Sequence, residues 1–150
     1  MARAALYDLG NGFLSHSYAK TEAGFWLAAE PAQLLAQDAT DEAIGTALLK
    51  ALTRKQPVRA TPSRNDYLDI GDPLLTGVGL RSWTDVQRRA KMCAVEIRGE
   101  GLRFVPTVNE RRDGARAFYD LEDQALECSE AMPGPVGAAA RVAIARARLV

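Results

Sequence analysis

The clearest structural signal in this chain is a pair of alternating segments joined by a glycine turn. From residue 92 to residue 98, apolar and polar side chains alternate with the period of a strand that has one buried face. Gly99 and Gly101 permit a tight turn, and the alternation resumes with Leu102 and Phe104. The pattern predicts an antiparallel hairpin, so the fold must contain a sheet. The residues predicted to share one face of the first strand are Cys93, Val95 and Ile97, with Glu96 and Arg98 on the other.

The N-terminal part of the chain repeats this kind of pattern. A Gly-Asn-Gly turn separates two strand-like runs, Arg3 to Leu9 and Phe13 to Lys20, and both residue types tolerate the positive φ of a tight turn. A second turn over residues 21–24 leads to a third strand that contains Trp26. The simplest interpretation is an antiparallel meander. We predict that Trp26 and Trp83 are core residues.

Three segments carry helical signals. Thr40 is a suitable N-cap before an acidic first turn, Ser82 opens a capping box with Asp85, and a Pro-Gly-Pro breaker precedes a closing helix. Residues 54–79 have no sustained period. We therefore predict an α+β fold in a single domain over residues 1–150, a mainly antiparallel sheet with about three helices packed against it. The apolar faces of the first and last helices are predicted to be Ile44, Ala47, Leu48, Ala51 and Leu52, and Val136, Ala139, Ala140, Ala143, Ile144 and Ala147.

Composition argues against several classes of protein. The 19 basic and 19 acidic residues cancel, whereas a protein that coats nucleic acid is expected to be basic. No apolar run approaches the ~20 residues of a membrane helix, and the N-terminus lacks the apolar region of a signal peptide, so we expect a cytoplasmic chain. One histidine and two cysteines outside any CxxC motif offer no metal cluster and no cofactor site, and both thiols are expected to be reduced.

Two groups of acidic residues are the main candidates for a binding surface. Asp66, Asp69 and Asp72 flank Tyr67 in the long segment, and a second group lies near residue 120. These carboxylates fit a surface that meets a basic partner, a solvated loop, or, for the first group, a metal-assisted hydrolase site. The members of the second group are Asp120, Glu122, Asp123, Glu127 and Glu130.

Two further patterns allow a functional and a structural interpretation. His16 shares a strand face with Tyr18 and lies near Asp8 in the meander, which allows an acid–base pair, although a single histidine on a strand is more often structural or exposed. A set of basic residues in the middle third allows contact with RNA, but no stacking aromatic residues are interleaved among them. The basic residues are Arg88, Arg89, Lys91, Arg98 and Arg103.

Two stretches of the sequence resemble a known family. SYAKTEAGFWL, at residues 17–27, is similar to the signature hairpin of the immunity proteins of contact-dependent growth inhibition, the CdiI-like family. GVGLRSWTDVQRRAKMCAVEIRGEGLRFVPTVNERRDGARAFYDLED, at residues 77–123, resembles the Gly-x-x-Ser-Trp helix start, central hairpin and hydrophobic-Pro-Thr segment of the same family. With the intervening and C-terminal helices, the resemblance extends over nearly the whole chain.

The resemblance implies a protein partner and no reaction of the chain's own. Members of that family bind the C-terminal toxin domain of a CdiA-type surface protein, commonly a nuclease, in the cytoplasm, without a cofactor, nucleic acid or a membrane. A nuclease active site is basic because it holds phosphates, so carboxylates are suited to block it. The residues we predict to bind the toxin are Asp66, Tyr67, Asp69, Asp72, Asp120, Glu122, Asp123 and Glu127.

Overall fold

The computed structural model describes residues 2–63 and 72–150, with the side chains of residues 72 and 73 outside that description. The strands are β1 (Arg3–Asp8), β2 (Gly12–Lys20), β3 (Trp26–Ala36), β4 (Lys91–Arg98), β5 (Gly101–Arg112), β6 (Ala115–Asp120), β7 (Leu126–Cys128) and β8 (Arg148–Leu149). The helices are α1 (Asp41–Thr53), α2 (Asp72–Gly77), α3 (Trp83–Arg89) and α4 (Pro133–Arg146), with a 3-10 turn at Glu122–Gln124.

Within the described residues, these eight strands form one sheet. The main order is β3-β2-β1-β4-β5-β6, and every neighbouring pair in it is antiparallel. β5 also pairs with β7 along its first half and, in parallel, with β8 along its second half. The predicted α+β fold class is confirmed.

The predicted hairpins are present and longer than the sequence pattern indicated. Val95 lies opposite Phe104 in the β4–β5 pair, so the buried residues of both strands share a face. β2 pairs with β1 and with β3, which confirms the N-terminal meander. The β2–β3 register shifts between His16 and Ser17, which marks a bulge at that point.

The sheet is covered on both faces. On one face, Leu6 and Phe104 pack against α1 and α4 in a cluster that also contains Leu48. On the other, alternate residues of the same strands pack against α2 and α3 through Leu75 and Val86. Because successive strand residues point to opposite faces, β1 contributes Ala4 and Leu6 to the first cluster and Ala5 and Tyr7 to the second.

Helices α1 and α4 approach each other closely through two glycines. A Cβ atom on Gly137 would lie 1.7 Å from the carbonyl oxygen of Asp41, and one on Gly45 would lie 1.8 Å from the carbonyl oxygen of Pro133. The contact is reciprocal, since each glycine faces the N-terminal turn of the other helix. As predicted, Thr40 caps α1, through a 3.1 Å bond from the Ala43 N–H to its hydroxyl oxygen.

A buried asparagine attaches α3 to the sheet. Asn109, on β5, donates from Nδ2 to the carbonyl oxygens of Gln87 and Ala90, at 2.7 and 2.8 Å, and its Oδ1 accepts from Arg116 at 3.2 Å. The side chain is fully buried, and both its amide nitrogen and its amide oxygen are hydrogen-bonded within the protein. They fix the end of α3 over β5, and α3 therefore has a defined position above the sheet.

Candidate partner-binding site

A cavity of about 380 Å³ lies between the sheet and α3. Its lining comes from β1, β2, β3, β4, β5, β6 and α3, and we call it the aromatic cavity because six of its side chains carry rings. Its lining residues are Arg3, Tyr7, His16, Tyr18, Trp26, Leu27, Ala28, Trp83, Thr84, Gln87, Met92, Thr107, Phe118 and Asp120. The volume is in the range of pockets that hold small ligands or partner side chains.

The floor of the aromatic cavity is a hydrogen-bonded pair of buried residues. His16 is fully buried, its Nδ1 lies 2.7 Å from the Ser17 carbonyl oxygen, and its Nε2 lies 3.0 Å from the Tyr7 hydroxyl. A carbonyl oxygen only accepts, so Nδ1 carries the proton and Nε2 accepts from Tyr7. The sequence suggested Tyr18 or Asp8 as the acid–base partner of His16. The hydroxyl that bonds His16 is that of Tyr7, while Tyr18 packs edge-on against its ring at 4.8 Å.

Burial keeps both members of this pair neutral near pH 7. It lowers the pKa of His16 to about 4, and the Ser17 hydrogen bond opposes that change only in part. Burial also raises the pKa of Tyr7 well above its ordinary value, with a further contribution from the neighbouring Tyr18 hydroxyl. The floor is therefore an uncharged, fixed surface, which agrees with the structural interpretation of the histidine.

The walls are aromatic and half-buried. Tyr7 lies 5.6 Å from the ring of Trp83 and 5.5 Å from that of Phe118, and Tyr18 lies 6.2 Å from Trp26, measured between ring centroids. The prediction that both tryptophans are core residues holds only in part, because each is partly exposed on the cavity wall. Trp26 lies opposite Lys20 at one end of the β2–β3 pair, where neighbouring elements do not fully enclose its ring.

Charged side chains lie along one rim. The Arg3 guanidinium is 4.0 Å from the Asp120 carboxylate and 5.4 Å from the centre of the Tyr18 ring. Arg103 bonds Glu96 at 3.1 Å and also pairs with Glu122. Partial burial raises the pKa of Asp120, and the positive charge of Arg3 opposes that increase. The hydrogen bond from Arg103 lowers the pKa of Glu122. One donor at this rim, the buried Arg3 Nε, has no acceptor within the described part of the chain.

The structure brings together part of the second predicted acidic group. Asp120 ends β6 and Glu122 follows two residues later, and both face arginines at the rim. Asp123 is exposed in the 3-10 turn, and Glu127 is exposed on β7 opposite Arg103. Within this group Glu122 pairs with Arg103 and Glu127 lies opposite it on the neighbouring strand, a neighbour that the sequence pattern did not reveal.

The first predicted acidic group cannot be placed in the same way. Asp66, Tyr67 and Asp69 lie outside the described residues, and for Asp72 the backbone alone is described, at the start of α2. Within the described residues, no three His, Cys, Asp or Glu side chains are grouped so that they could hold a metal ion. That same portion contains no helix with the length and apolar character needed to span a membrane.

Sequence reasoning missed Arg3 and Tyr7 as cavity residues. The signal was present, because alternation in β1 places Arg3, Ala5 and Tyr7 on one face, and alternation in β2 does the same for His16 and Tyr18. What the sequence did not supply was the pairing of β1 with β2 in the register that sets Ala5 opposite His16. That register places the aromatic residues of both strands on one side of the sheet.

Comparison with known proteins gives no match by sequence, since no protein-family model and no curated protein matches significantly. Solved structures do match. A protein of unknown function from Neisseria meningitidis, NMB0488, superposes with a TM-score of 0.74 at 15% identity, covering 98% of this chain and 95% of that one. A chain of the CdiA-CT/CdiI toxin and immunity complex from Yersinia pseudotuberculosis superposes with a TM-score of 0.70 at 15% identity, covering 97% of each chain. This chain shares their fold.

Proposed function

We propose that this chain is a CdiI-like immunity protein that binds the C-terminal toxin domain of a CdiA-type effector and neutralises it. The observation that carries the proposal is the likeness to a chain of a toxin and immunity complex over 97% of both chains. The sequence resemblance at residues 17–27 and 77–123 supports the same family. In this proposal the protein acts in the cytoplasm by binding, without a cofactor.

The aromatic cavity and its rim suit the binding of a polypeptide. Tryptophan, tyrosine and arginine are the residues that most often dominate the energy of protein interfaces. Here Trp26, Trp83, Tyr18 and Arg3 are partly exposed around one concavity, and the buried Tyr7–His16 pair fixes its floor. A partner side chain that enters would therefore meet a preformed surface, which reduces the entropic cost of binding.

The first test is neutralisation in cells. The open reading frame directly upstream of this one is placed under an inducible promoter, with and without the present chain. We expect induction alone to stop growth and co-expression to restore it, and we expect the two products to co-purify. Growth arrest that persists in the presence of this chain, with no complex recovered, would contradict the proposal.

We further propose that the toxin is a nuclease and that the predicted acidic residues meet its basic surface. Asp120 and Glu122 already face arginines of this chain, whereas Asp123 and Glu127 are exposed and form no ion pair with any described residue. The latter two are therefore the carboxylates most available to a partner. Asp66, Tyr67, Asp69 and Asp72 stay in the proposal as predicted contacts.

Replacing Asp123 and Glu127 together with alanine tests this charge contact. Exposed interface charges act mainly on the association rate, so we expect that rate to fall about tenfold at low salt, with a smaller fall at high salt. Stopped-flow or biolayer measurements against the toxin domain report it. The matched control is the pair Asp38→Ala and Glu42→Ala, two exposed acids around the start of α1. Equal association rates for both double variants would place the contact outside this surface.

A further inference from the structure

A second cavity, of about 350 Å³, shares Arg3, Tyr18 and Trp26 with the aromatic cavity. Its remaining walls are the end of β2, at Lys20, and the segment that follows α1, which supplies Arg54 and Lys55. We call it the basic cavity. None of its four cations belongs to the candidate binding residues that the sequence predicted.

The charge of this cavity is compensated only at Arg3, which lies 4.0 Å from Asp120. Arg3, Lys20, Arg54 and Lys55 all line it, and no described residue that lines it is Asp or Glu. Lys20, Arg54 and Lys55 are exposed and form no ion pair with any residue of the described ranges 2–63 and 72–150. Since the chain as a whole is neutral, four cations around one concavity are a local feature and produce a local positive potential.

A buried donor at the shared wall also lacks an acceptor. Arg3 Nε is buried without a hydrogen-bond partner in the described part of the chain, and Arg3 reaches Asp120 only at 4.0 Å. Buried N–H groups in native proteins are nearly always paired, so this donor can take an acceptor that the described residues do not supply. Carboxylates are strong acceptors for a guanidinium, because two oxygens can take two of its N–H groups.

The walls of the basic cavity are held in place. The Arg59 N–H donates to the Lys20 carbonyl oxygen at 3.0 Å, and the Glu22 N–H donates to the Arg59 carbonyl oxygen at 2.9 Å. The Gln56 side chain donates to the Glu30 carbonyl oxygen. The segment that carries Arg54 and Lys55 is thereby attached to the sheet at two points, and the backbone beneath these cations is positioned before any partner binds.

We infer that the basic cavity receives an acidic segment of the partner polypeptide, whose carboxylates pair with Arg3, Lys20, Arg54 and Lys55. The inference rests on the proposed function, which supplies the partner. A concave site of about 350 Å³ with two aromatic walls fits a few acidic side chains. A nucleic acid, by contrast, needs a basic track along which successive phosphates bind. The contact complements the acidic rim, so the partner is expected to present both signs of charge.

The double variant Arg54→Glu and Lys55→Glu tests the inference in the complex. We expect its Kd for the toxin domain to rise about 100-fold, because two attractive contacts become repulsive. The matched control is Lys91→Glu with Arg148→Glu, two exposed cations away from both cavities that undergo the same change of charge. This control should stay within threefold of the parent, and circular dichroism verifies that both variants are folded. If the parent binds and the Arg54/Lys55 variant binds equally well, the inference is wrong while the proposed function stands.

A second measurement does not require the toxin. Trp26 and Trp83 are the only tryptophans, so a Trp83→Phe variant leaves Trp26 as a single fluorescent reporter on the shared wall. Titration with a hexaglutamate peptide at low salt should give a saturable change in emission that the Arg54→Glu/Lys55→Glu substitutions remove. No saturable change would overturn the inference. Tighter binding of a single-stranded oligonucleotide or of inorganic phosphate than of the peptide would also overturn it.

Discussion

Replacing Gly137 with alanine is expected to lower the free energy of unfolding by at least about 3 kcal/mol, a cost at the upper end of those for overpacking. Helix propensity alone would predict the opposite, a gain in stability, because it favours alanine over glycine by about 1 kcal/mol. The new methyl group would lie 1.7 Å from the Asp41 carbonyl oxygen, a backbone atom that can move only if α1 and α4 separate. Gly45→Ala should behave in the same way, since its methyl group would meet the Pro133 carbonyl oxygen. Urea unfolding followed by circular dichroism measures both.

Gly77→Ala is the control for this experiment. Gly77 is also helical, at the end of α2, but no atom of a described residue lies within 4 Å of the position of its Cβ. Alanine there should change stability by less than about 1 kcal/mol, and in the stabilising direction. If all three variants are equally stable, the close contact between α1 and α4 does not exist in solution.

The second large effect is a loss of stability in mild acid, which follows from the burial of His16. Its pKa is about 4 in the folded chain and about 6.5 in the unfolded one, so between these values the unfolded state binds a proton that the native state does not. The stability that buried, neutral His16 contributes is fully present well above pH 6.5 and is lost progressively as the pH falls towards 4. Between pH 7 and pH 5 this single group should remove about 2 kcal/mol of stability.

Chemical denaturation at pH 7, 6 and 5 measures this effect, with His16→Gln as the comparison. Glutamine keeps an amide donor and acceptor at this position, but it does not titrate. Because His16 is the only histidine, the difference between parent and variant isolates its contribution from that of the carboxylates. Stability curves that remain parallel from pH 7 to pH 5 would show that His16 is not buried as described.

Much of the fold could be predicted because the responsible signals are local. Thr40, as an N-cap, and the buried face of α1 follow from spacing along one helix. The β4–β5 hairpin follows from alternation on both sides of a glycine turn, and Val95 does lie opposite Phe104. Each of these features depends on residues close in sequence, where hydrophobic period and turn chemistry agree.

The rest depends on contacts between distant residues. β5 continues to Arg112 through Pro106 and the polar Thr107 and Asn109, which conceal its alternation. Thr107 is accommodated because its hydroxyl bonds the Met92 carbonyl oxygen at 2.7 Å on the neighbouring strand. Helix α2 has only six residues, too few to show a period.

The candidate site shows the same limit. Its acidic residues were recognised from composition, whereas their arginine neighbours came from other strands: Arg3 from β1 and Arg103 from β5. The two cavities depend on the β1–β2 register and on the attachment of residues 54–59 to the sheet. Neither of these appears as a pattern in one dimension. The contacts predicted for Asp66, Tyr67 and Asp69 stay predictions.

The wall that the two cavities share links their occupants energetically. Arg3 has a single guanidinium, which faces Asp120 on one side and contributes to the basic cavity on the other. An occupant of the basic cavity that draws Arg3 away weakens the attraction between Arg3 and Asp120. The Asp120 carboxylate then becomes a stronger acceptor for a cation at the aromatic rim. By thermodynamic reciprocity, a cation bound at the aromatic rim then raises the affinity of the basic cavity for an anion by the same factor. The two halves of one partner would therefore bind cooperatively.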